Sequence, residues 1–158
     1  MKSIFLAILF EVCSMCKSQP CLMTETEPIK KTFEIGEKKT IEFHLRNNTS
    51  RSISLPEWLH EGTVGDEDSE YYLEILRRNS EGEFENVGID DKDYQYMVSN
   101  RKFQILKSGE AISYSASMDF LHDLTFKGAY RVRIVVKSQK LADCGKSVPS
   151  SWQDFEVR

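Results

Sequence analysis

The side chains with the most reactive potential are cysteines, and three of the four crowd into Cys13-Ser14-Met15-Cys16-Lys17-Ser18-Gln19-Pro20-Cys21, with the fourth at Cys144. The Cys13–Cys16 spacing would suit a redox couple or half of a zinc site. A redox pair needs a βαβ setting and zinc a second ligand pair, and the sequence supplies neither. The stretch reads better as the end of an export leader. Lys2 gives a positive start, and Ile4-Phe5-Leu6-Ala7-Ile8-Leu9-Phe10 an apolar core of about 10 Å as a helix, too short to cross a bilayer. Small residues at Cys16 and Ser18 favour cleavage before Gln19, giving a signal peptide over 1–18; Val12 and Ser14 permit a cut before Met15. Val12 before Cys13 and Met15 before Cys16 suit a lipoprotein anchor poorly. The expectation is an exported protein, periplasmic or extracellular. Cys21 and Cys144 then remain, and an even count in an oxidising compartment favours one disulfide over two free thiols.

The other reactive groups are sparse. Of the three histidines, His44 alternates onto the wet face of a strand, and His122 adjoins Asp123, a turn-capping residue. Glu57-Trp58-Leu59-His60-Glu61 sets carboxylates beside an imidazole but lacks the second histidine of a zinc protease. No phosphate loop, dinucleotide fingerprint or nucleophile elbow occurs, so neither a cofactor nor an enzyme is expected. Asp66-Glu67-Asp68 and Asp90-Asp91-Lys92-Asp93 offer hard oxygens for Ca²⁺, with Asp90, Asp91 and Asp93 the candidate ligands. Neither run has EF-hand spacing, and solvated loops explain both. The segment from Glu57 to Ser69 has little strand pattern, and loops of this length often bind partners. Trp58, Leu59, His60 and Glu61 are its candidate binding residues, against the alternative that Trp58 plugs the sandwich.

The elements that must position these groups are strands. The chain has 158 residues, 40% hydrophobic and 29% charged, enough for one domain with a real core. Its net charge of −4 argues against nucleic acid or anionic lipid as a partner. No later stretch has the length of a membrane span, so no transmembrane segment is expected in the mature chain. From about residue 30 the hydrophobic period is two. Ile41, Phe43 and Leu45 alternate with polar residues, and Asn47-Asn48-Thr49-Ser50 reads as the turn that ends them. Ile53 and Leu55 precede Pro56; Tyr71, Leu73 and Ile75 form another set, followed by Phe84 and Val87. Further sets are Tyr94, Tyr96 and Val98; Phe103 and Ile105; Ile112, Tyr114, Ala116, Met118 and Phe120; and Tyr130, Val132, Ile134 and Val136. Phe155 and Val157 follow a loop over 138–151. This rhythm predicts an all-β antiparallel sandwich over 30–158, preceded by an arm over 19–29.

Gly128-Ala129-Tyr130-Arg131-Val132 resembles the tyrosine corner of immunoglobulin-like domains, in which Tyr130 would bond back to the upstream backbone. Asp123 lies earlier than the usual acidic residue of that motif, and Val132 occupies the place of the second bridge cysteine of antibody domains. Ser150-Ser151-Trp152 with Phe155-Glu156-Val157 resembles the last hairpin of small exported immunoglobulin-like proteins of Bacteroidota, as the leader ending "SMCKSQ" resembles theirs. The resemblance implies an immunoglobulin-like sandwich of about seven to eight strands. It also implies that Cys21 and Cys144 lie at one end, where they could pair. It transfers no functional residue. The functional expectation is a noncatalytic exported binding or envelope-accessory protein with a protein or glycan partner. The alternative is a secreted protease inhibitor acting through sandwich-end loops.

Overall fold

The structure is a computed structural model that describes residues 20–62, 69–88, 101–142 and 149–158. It contains β1 (Leu22–Thr26), β2 (Thr32–Phe33), β3 (Thr40–Asn47), β4 (Ile53–Pro56), β5 (Glu61–Gly62) and β6 (Tyr71–Arg78). These are followed by β7 (Phe84–Asn86), β8 (Phe103–Leu106), β9 (Ala111–Ser117), β10 (Gly128–Val136), the short helix α1 (Ser138–Ala142) and β11 (Gln153–Val157). One sheet runs β1-β3-β9, and the facing sheet β2-β11-β10-β6-β5 with β7 on β6; β4 and β8 form a separate ribbon. The long pairings are antiparallel, while β2 with β11 and β5 with β6 are parallel. The chain is thus an all-β immunoglobulin-like sandwich, its first strand shared between layers: β1 pairs with β3, then the chain crosses so that β2 runs beside β11.

Period-two alternation decides what lies between the layers. Ile41, Phe43 and Leu45 from one sheet meet Tyr71, Leu73, Ile75, Tyr130, Val132 and Ile134 from the other, all buried. Phe43 stacks on its cross-strand partner Tyr114 and leans on Tyr71 of the opposite sheet, both at 5.4 Å. Tyr130 stacks on Phe155 at 5.3 Å, and its hydroxyl donates to the Phe126 carbonyl at 2.6 Å. That contact is a corner of the kind the sequence resembles. Gly128, at φ +151°, enters β10 in a conformation reserved for glycine.

Several expectations change. Residues 22–26 are not an arm but strand β1, with Leu22 fully buried; their shorter alternation is masked by the polar Thr24, Glu25 and Thr26. The set ending at Phe120 stops at Ser117. There the Asp119 carboxylate accepts from the Lys39 backbone N–H at 2.7 Å and meets the buried Lys39 Nζ at 3.2 Å, turning the chain out of the sheet. Asn47, read as the first residue of a turn, is the last residue of β3 and fully buried, and its turn bond to Thr49 is only half of its role. Its Nδ2 donates to the Arg51 carbonyl at 2.7 Å and the Leu106 carbonyl at 3.0 Å, while its Oδ1 accepts from the Thr49 N–H and hydroxyl. The sets Tyr94–Val98 and the leader 1–18 lie outside the described residues, as do Asp66–Asp68, Asp90, Asp91, Asp93 and Cys144.

The Asn47 amide serves two backbone carbonyls and the Thr49 N–H and hydroxyl on two segments, so its loss strands buried groups. Asn47→Ala should lower unfolding stability by about 2–3 kcal/mol. Asn47→Asp should cost at least as much, because a carboxylate cannot donate to the two carbonyls. Urea unfolding of both variants measures this; an Asp variant of wild-type stability would refute the role.

Candidate functional site

The loop after β4 leaves the ribbon at Pro56, whose carbonyl accepts the buried Tyr114 hydroxyl at 2.7 Å. Glu57 N–H then donates to the Lys102 carbonyl, extending the pairing of β4 with β8 by one step. Beyond it the four candidate residues separate. Trp58 points outward with 39% of its surface exposed, so it does not plug the sandwich. Leu59 packs against the core, His60 is half-buried and Glu61 is buried.

Trp58 is held by residues that sequence reasoning missed. The Arg101 guanidinium lies over the Trp58 ring at 4.0 Å from its centroid. Arg101 is itself fixed by a bidentate pair with Glu70, at 2.6 and 2.8 Å, and both side chains are largely shielded from water. Glu70 Oε2 also accepts the His60 N–H at 2.8 Å, and the His60 carbonyl accepts from the backbone N–H groups of Glu70 and Tyr71. The loop base, the start of β6 and the approach to β8 are therefore one hydrogen-bonded unit. Its exposed aromatic face sits on a preset cation, a rigid arrangement with little side-chain freedom left to lose on binding.

Beside Trp58, on β8, two further apolar side chains face solvent: Phe103 at 60% and Ile105 at 69% exposed. Their alternation reads in the sequence as a core face, but the buried residue of β8 is Leu106, opposite Ile53. The flanking cations in Arg101-Lys102-Phe103-Gln104-Ile105-Leu106-Lys107 were the available signal, since charge commonly guards an edge strand.

Two buried titratable groups flank the core. The Glu61 carboxyl accepts from the Tyr71 hydroxyl at 2.8 Å, while its Oε1 has no hydrogen-bond partner; burial pushes its pKa up to about 7. His122, expected at a solvated turn, is buried with an unpartnered Nδ1, and burial pulls its pKa down to about 4. Asp123 does cap the turn, its Oδ1 accepting from the Thr125 N–H and hydroxyl. His44 bridges Ser113 Oγ and Glu27 on the outer face of β3. Among the described residues, no group of three His, Cys, Asp or Glu side chains could hold a metal ion. Cys21 is buried at the start of β1 and disulfide-bonded, its partner lying outside the described residues. No helix among the described residues is long and apolar enough to cross a membrane.

No protein-family model and no curated protein matches the sequence. Among solved structures, the chain is similar to the β-glucosidase from Listeria innocua at 13% identity and TM-score 0.44, over 89% of this chain and 16% of that one. The chain therefore spans about a sixth of that enzyme's length. It is also similar to the CARDB domain of PF1109 from Pyrococcus furiosus. The solution structure matches at 16% identity and TM-score 0.42, over 87% of this chain and 94% of that one. A crystal structure of the same domain in complex with di-metal ions matches at 13% identity and TM-score 0.43, over 87% and 93%.

The two buried groups act oppositely on stability. Glu61 is raised, so its contribution is full below about pH 4.5 and is lost as pH rises through about 7. His122 is lowered, so its contribution is present above about pH 6.5 and is lost as pH falls through about 4. The slopes largely cancel between these limits. Glu61→Gln should remove one of them and gain about 3 kcal/mol relative to wild type between pH 4 and pH 8. Urea unfolding across that range tests it; a constant difference between the two proteins would show that Glu61 does not titrate with folding.

Proposed function

We propose that this protein is a noncatalytic, exported, immunoglobulin-like binding protein of the cell envelope that engages a partner protein through the surface around Trp58. The observation that carries this reading is the exposed Trp58 ring held on Arg101, which Glu70 fixes in turn. A large aromatic on a rigid frame, beside exposed Phe103 and Ile105, has the make-up of an interface centre. Export is supported by the leader pattern and by the disulfide at Cys21, since disulfides persist in oxidising compartments. The partner of Cys21 in this reading is Cys144, which would tie the start of β1 to the loop before β11.

Trp58→Ala should abolish capture of the partner from envelope extracts of the native host while leaving the unfolding midpoint nearly unchanged, because the ring is exposed. Glu70→Gln, which frees Arg101, should weaken capture by an intermediate factor. Capture that is indifferent to Trp58 would sink the proposal, and Trp58-dependent inhibition of a protease panel would replace it with the inhibitor reading. Non-reducing peptide mapping of the exported protein should recover a Cys21–Cys144 cystine peptide and a chain lacking residues 1–18. A different partner for Cys21, or an uncleaved leader, would overturn the corresponding part.

A further inference from the structure

Strand β8 has one neighbour, β4, among the described residues. The hydrogen bond from Glu57 N–H to the Lys102 carbonyl sets the parity of this ribbon. Residues 102, 104 and 106 turn their backbone polar groups towards β4, whereas Phe103 and Ile105 turn theirs away from it. The same two residues carry the most exposed large hydrophobic side chains of the described chain. Among the described residues that edge is unpaired, and it offers main-chain donors and acceptors at two alternate positions, with an apolar face beside them. Lys102 and Lys107 stand at its two ends, exposed, and neither forms an ion pair among the described residues. An exposed apolar edge is a pairing template that proteins ordinarily cover or disarm.

We infer that β8 is a docking edge for an extended segment of a partner protein, added as a further strand, with apolar residues at alternate positions and acidic residues flanking them. This rests on the binding-protein reading above and specifies the partner's chemistry. Main-chain hydrogen bonds to residues 103 and 105 require an extended backbone. Phe103 and Ile105 call for apolar side chains two apart, which share one face of a strand. The exposed Lys102 and Lys107, in no ion pair among the described residues, select acidic flanks and speed encounter. Trp58, next to β8 through the Glu57–Lys102 bond, would cover the end of the added strand. A second copy of this chain fits less well. Antiparallel pairing about Gln104 sets Phe103 against Ile105, but residues 101–107 contain no acid, so neither Lys102 nor Lys107 would meet a carboxylate on the added strand.

The test uses the exported full chain and a synthetic probe, acetyl-Asp-Glu-Val-Thr-Val-Glu-Asp-amide, with a control in which lysines replace the acids. The acidic probe should bind with at least tenfold higher affinity than the control at low salt and should shift the amide resonances of residues 103–105. Ile105→Pro removes one outward N–H and should abolish binding, edge strands being the place where a sheet tolerates proline. Phe103→Thr with Ile105→Thr keeps strand propensity, secures the test should the proline variant fail to fold, and should lower affinity at least tenfold. Lys102→Glu with Lys107→Glu should reverse the preference to the lysine-flanked peptide. Equal binding of both peptides, absence of binding, or binding unaffected by these variants would overturn the inference. So would a concentration-dependent dimer in sedimentation that Ile105→Pro abolishes, since the occupant would then be a second copy. Trp58-dependent capture of a partner that persists in the β8 variants overturns the added strand and leaves the binding-protein reading intact; peptide binding without Trp58-dependent capture does the reverse.

Discussion

A single buried amide holds the ribbon of β4 and β8 in place. Asn47 sits at the last position of β3, where the sheet ladder stops and the chain must still satisfy its polar backbone away from water. Its side chain supplies donors to Arg51 and Leu106 and an acceptor to Thr49, while its own backbone exchanges hydrogen bonds with Glu110 and Gly109. The end of β3, the entry to β4, the end of β8 and the turn into β9 thus converge on one residue. The ribbon of β4 and β8 belongs to neither main sheet, so its orientation depends on this junction, on the packing of α1 against β4 and on the Tyr114–Pro56 hydrogen bond. A residue whose side chain and backbone together bridge four segments in a water-free site is held rigidly, because every alternative leaves a group unpaired.

From that junction the electrostatics of the Trp58 surface follow. Glu70 closes on Arg101 and on the His60 N–H, so the carboxylate is fully used inside the fold and the cation is left to support an aromatic face. A second surface repeats the device in a different setting. On the outer face of β10, Arg131 lies over Phe84 at 3.7 Å and Arg133 over Trp152 at 4.5 Å, with Glu74 paired to Arg133. There the stacked arginines shield aromatic rings and cover a sheet face. At Trp58 the ring remains more open, with 39% of its surface exposed.

Much of the frame was legible from residue order. The sets around Phe43, Leu73, Tyr114 and Val132 face the core as alternation requires, and Tyr130 makes the backbone contact its motif resembles. The readings that changed share one cause, which is that a residue's face depends on what lies opposite. Phe103 and Ile105 alternate as core residues do, yet among the described residues no second layer covers their face of β8. Leu22 opens a strand whose last three residues, Thr24, Glu25 and Thr26, are polar, so its alternation is short. Asn47 has turn chemistry, but it exercises that chemistry inside the core.

The sequence by itself determined the strand rhythm, the single-domain size, the inward rows of the sandwich and the loop in which Trp58 stands, because these depend on residue type and on a spacing of two. Only the tertiary structure decided that Trp58 is exposed, that Arg101, paired with Glu70 across 31 positions of chain, supports it, and that β8 presents an apolar edge unpaired among the described residues. Those outcomes are set by contacts between residues far apart in the chain. Periodicity reports which side of a strand is apolar, but the arrival of a partner strand or layer decides whether that side is covered.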